Sequence, residues 1–199
     1  PSRLLTASHN GHVTMSTGNL RINLPRLLRS IAQLAEIGSI EGGGVNRLAL
    51  TDEDRDARDR VVSWMREAGL DITIDQVGNV IGTRKGNQDS NAPVLIGSHI
   101  DTVARGGRYD GTLGVLAGLE VIHCLNDAVI ETEHPIAVGF FTNEEGVRFQ
   151  PDMMGSMVHQ GHLPVDEMLL STDRDGNHFQ SELERIGYNG AVAIDTMRA

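Results

Sequence analysis

Hydrophobic positions along the first third of the chain recur at helical spacing. Asn23 followed by Pro25 is typical of a helix N-terminus, and Gly38 is predicted to end that helix. A second helix is predicted from Thr51 to about Ala68, with its arginines and aspartates on a solvated face. The chain is therefore expected to begin its folded part with two amphipathic helices.

The hydrophobic period then changes, and strands begin to alternate with helices. Period-two alternation over 71–75 and a turn at Gly78–Asn79 predict a hairpin that continues into a strand at 80–83. The apolar runs 93–97 and 135–141 are typical of strands buried on both faces. Further helices are predicted at 111–126, 153–160 and 179–186. This order predicts an α/β fold, with a mostly parallel central sheet flanked by helices.

Composition adds limits on size, partners and compartment. The 199 residues, 39% of them hydrophobic, suffice for one domain with a buried core. A net charge of −10 argues against nucleic acid as a partner, and no run predicts a transmembrane segment or a signal peptide. Cys124 is the single cysteine, which excludes a disulfide framework and favours a cytoplasmic location.

Metal-binding residue types lie at the predicted carboxyl ends of the two buried strands. His99 and Asp101 follow the first strand, Glu144–Glu145 follows the second, and Asp110 precedes the helix at 111–126. Ligands gather beyond the carboxyl ends of strands in open α/β sheets, so these side chains can converge. Imidazole and carboxylates together suit divalent metals, and two metals that share a carboxylate can activate water. The sequence predicts a binuclear metallohydrolase site.

Spacing also suggests supporting roles. Asp101 is close enough to His99 to accept a hydrogen bond from the second ring N–H. One glutamate of the Glu144–Glu145 pair can bind metal while the other takes a proton from water, and spacing alone does not choose between them. Arg148 could orient substrate or brace the glutamate loop, and bracing is the favoured interpretation.

The segments 97–120 (GSHIDTVARGGRYDGTLGVLAGLE) and 141–156 (FTNEEGVRFQPDMMGS) resemble the M20 family of metal-dependent amidohydrolases and peptidases. The resemblance is to the branch with N-carbamoyl-L-amino-acid hydrolases, β-ureidopropionases and allantoate amidohydrolases, and it covers about residues 20–190. It implies that His99, Asp110 and Glu145 are metal ligands, with Asp110 bridging. It also implies that Glu144 is the general base and Asp101 a supporting aspartate.

This resemblance implies two divalent ions (Zn²⁺, Mn²⁺, Co²⁺ or Ni²⁺) and a small ureido or amide substrate. The implied reaction is hydrolysis of the carbamoyl C–N bond of N-carbamoyl-L-amino acids or N-carbamoyl-β-amino acids, with release of ammonia, CO2 and the amine. The run 142–149 favours carbamoylases over allantoate enzymes, which tend to carry another acidic residue before the pair. The full-length parent is expected to be a homodimer.

The family supplies further metal histidines and a lid and dimerisation domain that have no counterpart in this sequence. Residues 15–199 are therefore expected to be the N-terminal portion of the metallohydrolase catalytic domain, and 1–14 a tag or disordered leader. Such a chain is expected to turn over weakly or not at all and to expose sheet edges. An allantoate amidohydrolase or another M20 amidase or dipeptidase stays an alternative. A truncated, non-catalytic fragment that binds metal or a partner is the alternative of another class.

Overall fold

The computed structural model describes residues 20–88 and 92–193, so the predicted leader at 1–14 lies outside the described residues. In chain order the elements are α1 (Leu24–Ala35), α2 (Asp52–Glu67), β1 (Asp71–Ile74), β2 (Val80–Arg84), β3 (Val94–Ser98), α3 (Thr112–Asp127), β4 (Ile136–Phe140), α4 (Met154–Gln160), α5 (Val165–Leu170) and α6 (Phe179–Arg185). Every element predicted from the sequence is present, with bounds that differ by at most three residues. The six-residue α5 was not predicted, because so short a segment shows little periodicity.

Both predicted helix starts are confirmed by their hydrogen bonds. The Asn23 side chain accepts from the Arg26 N–H at 3.0 Å, and the Thr51 hydroxyl accepts from the Asp54 N–H at 3.3 Å. These side chains satisfy amide groups that have no partner within the first turn of a helix. Local capping chemistry therefore fixes where α1 and α2 begin.

The four strands form one sheet in the order β1-β2-β4-β3. β3 and β4 are parallel, whereas β2 is antiparallel to both β1 and β4. A short turn joins β1 to β2 and can only reverse the chain, while the connection that contains α3 is long enough for a parallel crossover. The α/β class and the flanking helices are confirmed, but parallel pairing is limited to β3 and β4 among the described strands, so the sheet is less parallel than predicted.

β3 lies at one edge of this sheet in the described part of the chain, and its surroundings differ from the prediction. Val94 is 55% exposed and Leu95 38% exposed, so the expected burial of this strand on both faces is wrong. For β4 the expected burial on both faces is correct, because Ala137, Val138 and Phe140 are buried. An apolar run indicates which surfaces can be covered, but it does not show that a neighbour covers them.

The solvated face predicted for α2 is also wrong at two positions. Asp54 and Arg58 are buried, and the Arg58 Nε donates to Asp54 Oδ2 at 2.8 Å. Arg58 further donates to the Gly78 carbonyl at 2.8 Å and to the Thr142 hydroxyl at 3.3 Å. The (i, i+4) spacing of Asp54 and Arg58 was the sequence signal that could have indicated an ion pair. The pair joins α2 to the hairpin and to the chain that follows β4.

Candidate metal centre

The parallel pairing of β3 with β4 determines where the candidate site lies, because both strands end at the same edge of the sheet. Ser98 lies opposite Phe140, and the Phe141 N–H donates to the Ser98 carbonyl at 2.9 Å just beyond the pair. The chain after β3 and the chain after β4 therefore leave the sheet side by side. His99 follows directly on the first of them and the glutamate pair follows on the second.

Three of the predicted site residues converge beyond these strand ends. His99, Asp110 and Glu145 each offer one ligand atom, and these atoms lie within 4.8 Å of one another. His99 is buried, Glu145 is half-buried and Asp110 is exposed. An imidazole nitrogen with carboxylate oxygens around it is a donor set that suits a divalent metal. The cluster thus has a buried side built on His99 and an open side at Asp110.

Glu144 lies at the same place as the cluster. Its Oε2 is 3.3 Å from His99 Nε2, while Asp110 Oδ1 is 3.9 Å from that nitrogen. Both members of the Glu144–Glu145 pair therefore reach the cluster, and distances alone do not divide the roles of ligand and base between them. The division stays a prediction.

Asp101 supports the site through contacts that differ from the predicted one. His99 Nδ1 lies 2.9 Å from the backbone oxygen of Asp101 and 3.7 Å from its carboxylate. The carboxylate instead accepts the N–H groups of Glu144 and Glu145, at 3.3 and 3.2 Å. Asp101 thus attaches the glutamate loop to the His99 loop.

This contact favours one tautomer of His99. A carbonyl oxygen only accepts hydrogen bonds, so the neutral ring places its proton on Nδ1. Nε2 then carries the lone pair, on the side of the ring that faces Asp110 and Glu144. A ring held in this way is suited to bind a metal through Nε2.

Two carboxyl groups at the site, those of Asp101 and Glu145, have raised pKa values. Burial raises the pKa of Asp101, the nearby charge of Asp54 raises it further, and His99 and the two amide N–H groups oppose the change. Burial also raises the pKa of Glu145, where His99 acts in the opposite direction and Asp110 adds repulsion. Carboxylates crowded in this way are relieved by a bound cation. The electrostatics agree with the donor set.

Gly111 allows the two ligand-bearing loops to approach each other. It has a φ of +60°, and a Cβ at this position would overlap with His99 Nε2. At the neighbouring Gly114 in α3, a Cβ would lie 2.8 Å from that of Ser98. The start of α3 therefore packs against the end of β3 at a distance that only glycine permits.

Arg148 makes the bracing contacts that the sequence favoured. It donates to the Ala49 carbonyl at 3.1 Å, the Leu50 carbonyl at 2.8 Å, Asp173 at 3.1 Å and Glu182 at 2.7 Å. These contacts tie the glutamate loop to α6 and to the chain before α2.

One buried residue beside the site was missed by the sequence reasoning. Arg47 is 1% exposed, and its guanidinium lies between the His99 loop and the start of α3. A single arginine in a short connection carries little signal in the sequence, because such residues are usually exposed.

Comparison with known proteins identifies the family. Residues 79–169 match the model of peptidase family M28. The chain is 45% identical over 172 residues to an N-carbamoyl-L-amino-acid amidohydrolase of Rhizobium meliloti, which covers 86% of this chain and 41% of that protein. A crystal structure of a hydantoinase/carbamoylase family amidase from Burkholderia ambifaria matches with a TM-score of 0.86 and 49% identity, covering 87% of this chain and 43% of that one. The chain belongs to the hydantoinase/carbamoylase family.

The same comparison also finds allantoate enzymes among the relatives. Allantoate deiminase 1 of Glycine max is 35% identical over 157 residues, which cover 76% of this chain and 32% of that protein. The predicted relationship to the carbamoylase branch is confirmed, although the matching family model is that of M28 whereas the M20 family was named. The chain spans about two fifths of the length of the carbamoylases it matches. Among the described residues, no helix has the length and apolar character needed to cross a membrane.

Proposed function

We propose that this chain carries part of the active site of a metal-dependent amidohydrolase that cleaves the carbamoyl C–N bond of N-carbamoyl-L-amino acids or N-carbamoyl-β-amino acids. The observation that carries the proposal is the convergence of His99, Asp110 and Glu145 within 4.8 Å. Support comes from 42–45% identity to proteins named N-carbamoyl-L-amino-acid amidohydrolase.

His99, Asp110 and Glu145 would hold the metal. Bound divalent ions would polarise the ureido carbonyl and lower the pKa of a water molecule. Glu144, beside the ligands, accepts the proton of the attacking water and delivers it to the departing nitrogen. One water is consumed, and the ureido group leaves as ammonia and CO2 while the amine is released. Zn²⁺, Mn²⁺, Co²⁺ and Ni²⁺ each suit these ligands, and two ions are proposed as in the implied family site.

Asn143 favours a carbamoylase over the allantoate alternative. It has a φ of +55°, a conformation that asparagine tolerates better than most residues. Its side chain is buried and donates to the Phe149 carbonyl at 2.9 Å. This position therefore shapes the loop and presents no acidic group next to the glutamate pair. A cytoplasmic location and a homodimeric full-length protein complete the proposal.

Metal titration tests the site in this chain. We expect the metal-stripped chain to bind Zn²⁺ and Mn²⁺ in calorimetry, and Asp110→Ala to bind at least tenfold more weakly because one of three ligands is lost. Equal binding by both proteins, or none by either, would mean that this chain does not assemble the site. The non-catalytic fragment would then be the better account.

Turnover tests the chemistry, and it requires a longer protein. A chimera that continues this chain with the remaining part of the Rhizobium meliloti relative would be assayed on an N-carbamoyl-L-amino acid, an N-carbamoyl-β-amino acid, allantoate and a dipeptide. Glu144→Gln in the chimera is expected to retain metal affinity and lose about 10²–10⁴-fold in kcat, the usual contribution of a general base. Undiminished kcat in Glu144→Gln would exclude that role.

A further inference from the structure

Arg47 joins three parts of the molecule through its side chain. Nε donates to the Ile100 carbonyl at 2.7 Å, in the loop after β3. Nη1 donates to the carbonyls of Ile37 at 2.9 Å and Leu34 at 3.2 Å, where α1 ends. Nη2 reaches the Thr112 hydroxyl at 3.4 Å, at the start of α3. One guanidinium group therefore contacts two of the three segments that bring in the proposed metal ligands, those of His99 and Asp110.

The backbone around Arg47 follows the same loop. The Arg47 carbonyl accepts the Thr102 N–H at 2.9 Å, and the Arg47 N–H donates to the Thr102 hydroxyl at 2.8 Å. Two residues earlier, Val45 exchanges a pair of backbone hydrogen bonds with Gly106, at 3.0 and 2.9 Å. The connection between α1 and α2 is thus paired along the loop that lies between His99 and Asp110.

A buried guanidinium without a directly bonded carboxylate is costly. The hydrogen bonds that the Arg47 guanidinium donates in the described structure go to three carbonyls and one hydroxyl. Burial lowers the pKa of Arg47, while the negative charges of Asp54 and Asp101 act in the opposite direction. Arginine keeps its charge in proteins, so this cost is borne by the folded state. What the arrangement gains is a fixed position for Ile100 and Thr112.

Those two positions are adjacent to the ligand residues. Ile100 lies between His99 and Asp101, and Thr112 lies two residues after Asp110. The metal affinity of a site built from separate loops depends on their spacing, and partners that orient ligands typically contribute about 10–100-fold in affinity.

We propose that Arg47 is a positioning residue for the metal centre, which holds the His99 loop and the Asp110 turn at the separation that lets their ligand atoms share a metal. Arg47 touches none of the proposed ligands, so it acts only through the loops. The proposal rests on the proposed function for the identity of the ligands.

Arg47→Lys tests this role, because lysine keeps the charge but lacks the fork that reaches Ile100 and Thr112 together. Arg26→Lys is the matched control, since Arg26 also attaches α1 to α3 but through Glu120, away from the ligands. Two quantities would be measured on the full chain: the affinity for Zn²⁺ by calorimetry, and amide hydrogen exchange over residues 98–112 without metal. Thermal unfolding of both variants would report their stability.

Arg47→Lys is expected to weaken Zn²⁺ binding about tenfold or more and to accelerate exchange over 98–112. Arg26→Lys is expected to lower the Tm and leave both quantities unchanged. A folded Arg47→Lys chain with Zn²⁺ affinity within twofold of the wild type would overturn the proposal. If the wild type binds no Zn²⁺, the proposed function fails for this chain, and unchanged exchange over 98–112 in Arg47→Lys would separately overturn the positioning role.

Thr112→Val keeps the test decisive if Arg47→Lys does not fold. It removes the hydroxyl that accepts from Arg47 Nη2 and preserves the shape of the side chain. We expect faster exchange over 98–112 and severalfold weaker Zn²⁺ binding. Both quantities at wild-type values would overturn the proposal.

Discussion

At the scale of single residues, close approach matters as much as the ligands themselves. Gly111 has a left-handed φ of +60°, and the space that a side chain would fill there is taken by the His99 ring. Gly107 lies in the same loop, yet a Cβ there would meet nothing within 4 Å. The two glycines therefore differ in what they permit, although the sequence presents them alike.

Gly111→Ala is expected to weaken Zn²⁺ binding at least tenfold, because the added methyl group displaces His99 or the Asp110 turn. The strained φ should also cost about 1–3 kcal/mol of unfolding free energy. Calorimetry and urea unfolding check the two effects, with Gly107→Ala as the control that should bind Zn²⁺ normally. Equal affinity in both variants would show that the ring is free to move aside.

At the scale of elements, α1 is attached to α3 by a charged contact. Arg26 donates to both Glu120 oxygens, at 2.7 and 2.9 Å, and the Asn23 N–H donates to one of them at 2.7 Å. Burial alone would raise the pKa of Glu120, but these hydrogen bonds hold it below the ordinary value. A carboxyl whose pKa is lowered by folding stabilises the protein above its unfolded pKa, about 4.3 for glutamate, and loses that contribution at lower pH.

The free energy of unfolding is therefore expected to fall as the pH is lowered through the unfolded pKa of glutamate, about 4.3, and then through the lower folded pKa of Glu120. Glu120→Gln should show a shallower fall over this window, since it has no proton to take up. Urea unfolding at a series of pH values measures the difference. Glu41→Gln, on an exposed loop residue, serves as the control. Parallel curves for Glu120→Gln and the wild type would contradict the expectation.

Features that depend on contacts between residues close in sequence could be predicted, whereas features that depend on residues distant in sequence could not. The starts of α1 and α2 were predictable because Asn23 and Thr51 act on amides three residues away. The burial of Arg58 and the exposure of β3 were not, because each depends on a partner or a neighbour distant in sequence. The candidate site stands between these cases: a motif identified its residues, whereas the Asp101 contacts depend on how two loops meet.

At the scale of the whole molecule, β3 is one of the two edge strands of the described sheet, and its outer side is exposed. Val94 and Leu95 are exposed there, and an unpaired strand edge can pair with another chain. A sheet edge of this kind was expected from the sequence. It gives the chain a surface on which copies can associate.

We expect the purified chain to self-associate with increasing concentration, and Val94→Lys to reduce this, because a charged side chain on an edge strand opposes pairing. Light scattering over a concentration series measures the effect. Leu170→Lys removes another exposed apolar side chain, on α5, and should change association less. A wild-type chain that stays monomeric and unfolds reversibly in one cooperative step would contradict this prediction.

The register of β3 and β4 limits how this part of the protein can vary. Ser98 lies opposite Phe140, and side chains alternate between the two faces of a sheet. Deleting one residue from either strand would turn the side chain after it to the other face, or shift it by about 3.3 Å. Many apolar residues can occupy these strands, but their lengths cannot change independently. Insertions and deletions should therefore be tolerated in the connections and excluded from the five residues before His99.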